Sequence, residues 1–427
     1  MLTTEFIDER NAAELPHHLT DYQALGERLA RRGLDVERAV ETLAAFDLAI
    51  PSWSLGTGGT RFGRFPGPGE PRNVFEKMDD VAVIHRLTGA ASGVSLHIPW
   101  DEPDDPAALR GHAAALGLRI DAVNSNTFQD QPGQRLSYKF GSLAHTDPAV
   151  REQAIEHNLH VIEVGEVLGS TALSVWLADG SNFPGQMHLR RAFDRTFDGL
   201  ARIYAALPDE WRMFIEHKPY EPAFYAAVVQ DWGSSYLLAH ALGPKAQCLV
   251  DLGHHLPATN IELIVARLLG AGKLGGFHFN DAQYGDDDLT AGSIHPYRLF
   301  LVFNELVDAA RDRLPDFDPA YMIDQSHNLK DPIEALLQTV DQVQRAYARA
   351  LIVDRDALDA YQEANDVLMA ERTLQQAFET DVGPLVAEAR RRNGAAIDPV
   401  ATFRASGYRA ARGEERGAVA YAPPQSL

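Results

Sequence analysis

Four ionisable residues in the second half of the chain stand inside or at the tip of otherwise apolar runs: Glu216, Asp251, His278 and Asp324. A carboxylate in such a place costs several kcal/mol unless it is paired or metal-bound. Three carboxylates and one imidazole cannot pair among themselves, and cations are scarce in these runs, Lys218 and nearby arginines being the alternative partners. A divalent cation would neutralise the four and satisfy their lone pairs. Such oxygen-rich ligation suits Mn²⁺, Mg²⁺, Co²⁺ or Zn²⁺ and disfavours copper-type sites. A second group follows: His254 or His255 just past Asp251, and the triplet Asp286-Asp287-Asp288. Alternate members of the triplet, Asp286 and Asp288, can face one point while Asp287 faces away. With one histidine they leave open the positions a catalytic metal requires. Taken alone, the triplet reads better as a solvated acidic turn, and beside the first group the metal reading is favoured.

Around these groups stand residues suited to an oxygen-rich small molecule. Lys218 is two residues from Glu216, on the same face of a strand, and can hold an oxygen that gains negative charge. A structural ion pair is the plainer reading. His97 can bond a hydroxyl or transfer a proton, or be a satisfied core histidine. Trp53, Trp100, Trp176 and Phe128 follow strand ends, where aromatic faces can wall a sugar-sized pocket. Cys248, the one cysteine, reads as buried and inert. The Gly-rich stretch Gly56-Thr57-Gly58-Gly59-Thr60-Arg61 lacks the third glycine of a dinucleotide fingerprint and any phosphate-loop lysine. It reads as a long loop.

What positions these residues is a series of short β-type runs, at 46–50, 94–98, 118–123, 172–177, 213–218, 248–251, 276–280 and 321–324. Helical-period segments lie between most of them, among them 150–168, 190–206, 260–270 and 296–311. Eight βα units predict a closed (β/α)8 TIM barrel, whose chemistry sits at the carboxyl ends of the strands, where these polar residues fall. The expected organisation is an N-terminal helical segment at 1–45, with helix over 20–45, and a barrel at 46–352. A C-terminal helical extension at 353–427 follows, loosely ordered at its end, packing on a neighbouring subunit.

Composition narrows the function. The 427 residues carry 60 acidic against 39 basic side chains, a formal charge of −21. That field repels phosphate backbones and anionic lipid, so neither nucleic acid nor membrane is an expected partner. A metal-dependent barrel hydrolase acting on DNA would need a basic face. The opening MLTTEFIDER has no apolar leader, so a cytoplasmic location is expected.

The stretches PSWSLGTGGTRFGRFPG, VSLHIPWD, DAVNSNTF, WLADGSNFPGQ, EHKPYEPAFYAAVVQDWG, CLVDLGHH, GGFHFNDAQYGDDDL and MIDQSHN together resemble the L-rhamnose isomerases, in particular the bacterial branch with broad aldose specificity. The resemblance implies a xylose-isomerase-like barrel, a homotetramer and two divalent metal ions, commonly manganese. It places a structural ion on Glu216, Asp251, His278 and Asp324, and a catalytic ion on His254, Asp286 and Asp288. It implies that Lys218, His97, Trp176 and Trp53 line the sugar, beside Phe128 from the strand-end aromatics, and that Phe62 reaches a neighbouring subunit's pocket. The expected activity interconverts L-rhamnose and L-rhamnulose, with another pair such as D-allose and D-allulose as the rival, and with Asp324, Lys218 and His97 as the catalytic residues. A sugar-binding barrel without catalysis would have no use for two metal sites.

Overall fold

A computed structural model describes residues 2–56, 67–325 and 329–417. Eight parallel strands form a closed barrel in chain order: β1 (Ala49–Pro51), β2 (Gly93–Ile98), β3 (Arg119–Ser125), β4 (Ala172–Trp176), β5 (Arg212–Glu216), β6 (Ala246–Asp251), β7 (Leu274–Phe279) and β8 (Ala320–Ile323). β1 pairs with both β2 and β8, which closes the ring.

Two helices, α1 (Thr4–Ala30) and α2 (Val36–Ala44), precede the barrel, and each strand is followed by one helix. These are α3 (Val74–Thr88), α4 (Pro106–Ala115), α5 (Pro148–Leu168), α6 (Leu189–Ala206), α7 (Trp232–Leu242), α8 (Ile261–Gly270), α9 (Pro296–Asp312) and α10 (Pro332–Leu351). Most open on an Asp or Asn whose side chain accepts from the first turn, as Asp231 does for α7, Asn260 for α8 and Asp331 for α10. Such caps satisfy amides that have no partner within the helix.

The barrel interior below the site is filled by small and large residues in one layer, Ala49, Ala122 and Ala172 beside Phe214, Leu249 and Met322. Gly276 permits a close approach of β7 to β8: a Cβ there would stand 2.5 Å from the Ala320 carbonyl oxygen. Outside the barrel, Phe277 and Phe279 stack at 5.3 Å, and Phe279 stacks on Phe303 of α9 at 5.4 Å.

The first strand starts three residues later than its sequence pattern suggests. Phe46 packs on Tyr321 and Tyr347 at the barrel base. Asp47 accepts from the Ser92 amide and hydroxyl, so 46–48 is a connector. The N-terminal helix begins at Thr4 rather than near residue 20, because Thr3 caps it.

The extension consists of α11 (Arg355–Glu363), α12 (Val367–Phe378), α13 (Gly383–Arg392), α14 (Pro399–Ala405) and α15 (Tyr408–Arg416). It packs on the chain's own α1, α2, α3 and α10. Helical structure thus continues past Asn393 as far as Arg416. A buried ion pair accounts for it: Arg416 meets Asp80 of α3 at 2.9 Å, both side chains 1% exposed. Residues 418–427 and the Gly-rich stretch from Thr57, with Phe62, lie outside the described residues.

Glu388 of α13 ties this extension to α1. Burial opposes its ionisation, but hydrogen bonds from Arg391, His18 and Arg392 outweigh it and hold the carboxyl at about 2, below its ordinary 4.5. A depressed carboxyl contributes stability above the unfolded pKa and loses it as pH falls through the folded one. Glu388→Gln is therefore expected to destabilise the protein by about 1–3 kcal/mol at pH 7. The gap to wild type should narrow steadily from pH 5 towards pH 2, measured by urea unfolding across that range.

Candidate metal centre and sugar pocket

The carboxyl ends of β5 to β8 bring the four outlying ionisable residues together. One ligand atom from each of Glu216, Asp251, His278 and Asp324 lies within 4.8 Å of all the others. Asp251 and His278 are direct partners in the β6–β7 register, and Glu216 and Asp324 approach from either side. His278 Nδ1 is 3.1 Å from Glu216 Oε1, 3.6 Å from Asp324 Oδ2 and 3.7 Å from Asp251 Oδ2. Asp251 is fully buried.

A second set, Asp251, His254 and Asp286, meets the same distance criterion. It shares Asp251 with the first, so the two groups are neighbours. His254 stands between them, with Nδ1 3.0 Å from Glu216 Oε1 and Nε2 3.2 Å from Asp286 Oδ1. Of the histidine pair left open by spacing, His254 faces the cavity. His255 turns away and packs on His217 at 4.9 Å between ring centres.

The acidic triplet divides by side. Asp286 and Asp288 line the cavity. Asp287 instead accepts from the amides of Gln283 and Tyr284, closing its own turn. Asp288 adopts a left-handed backbone (φ 48°), a conformation Asp tolerates better than most residues.

The electrostatics are those of a site with too few positive charges. Burial and the neighbouring Glu216 and Asp324 push the Asp251 carboxyl up to about 7, in spite of His254 and His278. Burial together with Asp286 and Asp324 raises Asp288 as well. His278 is raised as well: burial opposes its protonation, but Glu216 and the other acids lift it to about 9. Protons thus stand in for missing positive charge.

Divalent cations fit this donor set. Bonds of about 2.1 Å put ligand atoms at most about 4.2 Å apart, so small side-chain shifts would close both groups on an ion. His278 Nε2 is buried without a hydrogen-bond partner, which leaves a nitrogen for ligation or for water.

The groups floor a cavity of about 410 Å³. Lys218 enters it from beyond β5, its Nζ ion-paired with Asp286 Oδ2 and 4.8 Å from the Trp176 ring centre. His217, between Glu216 and Lys218, points the opposite way, as strand alternation requires. Trp53, His97, Trp100, Phe128 and Trp176 make the wall. The His97 ring is 4.5 Å from Trp100 and 5.4 Å from Phe128, and Phe128 is 4.5 Å from Trp176. Burial pushes the His97 imidazole down to about 3, so it is neutral near pH 7. The Trp53 indole donates to Asp324 Oδ1 at 2.8 Å.

Several residues at the site escaped sequence reading, Asn124, Ser174 and Glu221 of the cavity wall and Asn280 beneath it among them. The Asn280 amide bonds both Asp251 oxygens, at 2.9 and 3.0 Å; its signal was its place two residues beyond His278. Glu221 lines the mouth and stands 3.5 Å from Lys218; a polar residue in a Pro-flanked loop gives no sequence signal.

A closed βα barrel with carboxylates and histidines gathered at the carboxyl ends of four strands defines an α/β-barrel protein with its site at the strand ends. The chain belongs to the xylose isomerase-like TIM barrel family, whose profile matches residues 88–318. It is 62% identical over 420 residues to a probable sugar isomerase of Rhizobium meliloti (strain 1021), covering 98% of each chain. It is 27% identical over 315 residues to the xylose isomerase of Thermus thermophilus, covering 69% of this chain and 77% of that one. The L-rhamnose isomerase of Bacteroides thetaiotaomicron is 22% identical over 280 residues, 58% of this chain and 64% of that one. Among the described residues no helix is long and apolar enough to cross a membrane.

Proposed function

We propose that this chain is a metal-dependent aldose–ketose isomerase that interconverts L-rhamnose and L-rhamnulose and accepts other aldoses. The observation that carries the reading is the pair of adjoining carboxylate–imidazole groups, sharing Asp251, beneath an aromatic-walled cavity. The sugar-isomerase names of the relatives support the reaction class. The motifs resembling L-rhamnose isomerases support the particular sugar.

In this reading Glu216, Asp251, His278 and Asp324 hold one ion, and His254, Asp286 and Asp288 the other. Manganese is the expected metal, with cobalt, magnesium or zinc as substitutes. When bound, such ions supply Lewis-acid polarisation of a carbonyl and fix neighbouring sugar oxygens. The chain's own groups do the rest. Asp324, with Oδ1 held by Trp53, is the group that would accept a hydroxyl or C2 proton. Lys218 steadies negative charge on the substrate oxygen. Neutral His97 offers a ring nitrogen to a hydroxyl, and Trp53, Phe128 and Trp176 cover the sugar's carbon faces. A homotetramer in which Phe62 of each subunit completes a neighbour's pocket is part of the same proposal.

Metal-loaded protein incubated with L-rhamnose should yield the ketose, and chelation should cut turnover at least about 10²-fold, with recovery on adding Mn²⁺. No ketose from any aldose would refute the reading. Comparing kcat/KM for L-rhamnose and D-allose ranks the sugars. Run in D₂O, a direct hydride shift retains the original hydrogen at the product carbon, whereas an enediol route brings in deuterium.

A further inference from the structure

Behind the aromatic wall lies an ion pair with no part in the chemistry described so far. Lys77 of α3 and Asp101, in the turn after β2, are each 2% exposed, and Lys77 Nζ is 2.6 Å from Asp101 Oδ1. The other carboxylate oxygen takes two more donors, the Ser52 hydroxyl and the His97 amide, the latter at 2.9 Å. The Asp101 amide returns a bond of 2.8 Å to the His97 carbonyl.

Burying two charges is expensive, and an apolar pair of the same volume would hold α3 at least as firmly. What a carboxylate adds is direction, since it fixes three donors from three elements around one point. Those elements carry the wall. Ser52 directly precedes Trp53, which donates to Asp324. His97, whose amide Asp101 holds, has its ring 5.2 Å from Trp53 and 4.5 Å from Trp100.

We propose that Asp101, neutralised by Lys77, is a positioning residue for the sugar: it sets Trp53 and His97 relative to one another and, through Trp53, orients Asp324. The proposal rests on the isomerase reading for its kinetic arm and stands apart from it in its spectroscopic one.

The test compares Asp101→Asn and Ser52→Ala with wild type, all loaded with Mn²⁺. A misplacement near 1 Å lowers catalysis by about 10²-fold, so Asp101→Asn should lower kcat/KM on the aldose by about that factor, chiefly through KM. Tryptophan emission should shift, because Trp53 and Trp100 are two of only five tryptophans. A purely structural pair would lower the melting temperature and leave KM and emission as in wild type; that result overturns the proposal. Should Asp101→Asn fail to fold, Ser52→Ala, which keeps the ion pair, decides: a several-fold rise in KM with shifted emission supports the proposal, and unchanged values overturn it. A wild type that turns over no aldose refutes the isomerase reading, and the emission arm then decides the positioning role alone.

Discussion

Glu216→Gln is expected to lower kcat/KM by on the order of 10³-fold, since one neutralised ligand would disturb the electrostatic stabilisation at both proposed ions. Glu216 Oε1 lies 3.1 Å from His278 Nδ1 and 3.0 Å from His254 Nδ1, so it bears on both metal groups at once. Burial opposes its ionisation, yet the two imidazoles hold its carboxyl well below the usual range. Glutamine keeps the volume and removes the charge, so the barrel should fold and far-ultraviolet circular dichroism should match wild type. Calorimetric titration with Mn²⁺ should show at least one site lost or strongly weakened. A variant that binds two ions with wild-type affinity and turns sugar over normally would remove Glu216 from the centre.

Lys218→Met should have the second largest effect, a fall in kcat of roughly 10²- to 10³-fold with KM changed only a few-fold. Methionine keeps the apolar stem against Trp176 and removes the ammonium that pairs with Asp286. A group that only paired with Asp286 would leave kcat nearly intact once Mn²⁺ saturates the site, so kcat at saturating metal separates a charge-stabilising role from a structural one. A kcat within about fivefold of wild type would assign Lys218 to structure alone.

The eight strands were legible because each is a short apolar run that ends in polar residues, and a barrel strand buried on both faces has to read that way. β7 is the plainest case, buried along its whole length apart from the chemistry His278 carries. β1 was the least legible, because Phe46 and Leu48 look like strand residues but serve the barrel base, where burial needs no particular period. The split of the Asp triplet agrees with the expected alternation, although the triplet lies in a loop, and Asp287 closes its own turn. The choice of His254 over His255 was not, because adjacent residues past a strand end follow the loop's path and not the strand's period.

Composition, the strand–helix rhythm and the polar residues at strand ends were determined by the amino-acid sequence itself, because they follow from local periodicity and from the cost of burying charge. Only the tertiary structure decided that Asp251 serves two groups, that Asn280 clamps it, and that Lys77, Asp101 and Ser52 meet behind Trp53 and His97. Those contacts join residues 24 to 49 positions apart around Asp101 alone. Nothing in local spacing encodes them, because barrel closure, and not chain proximity, brings them together.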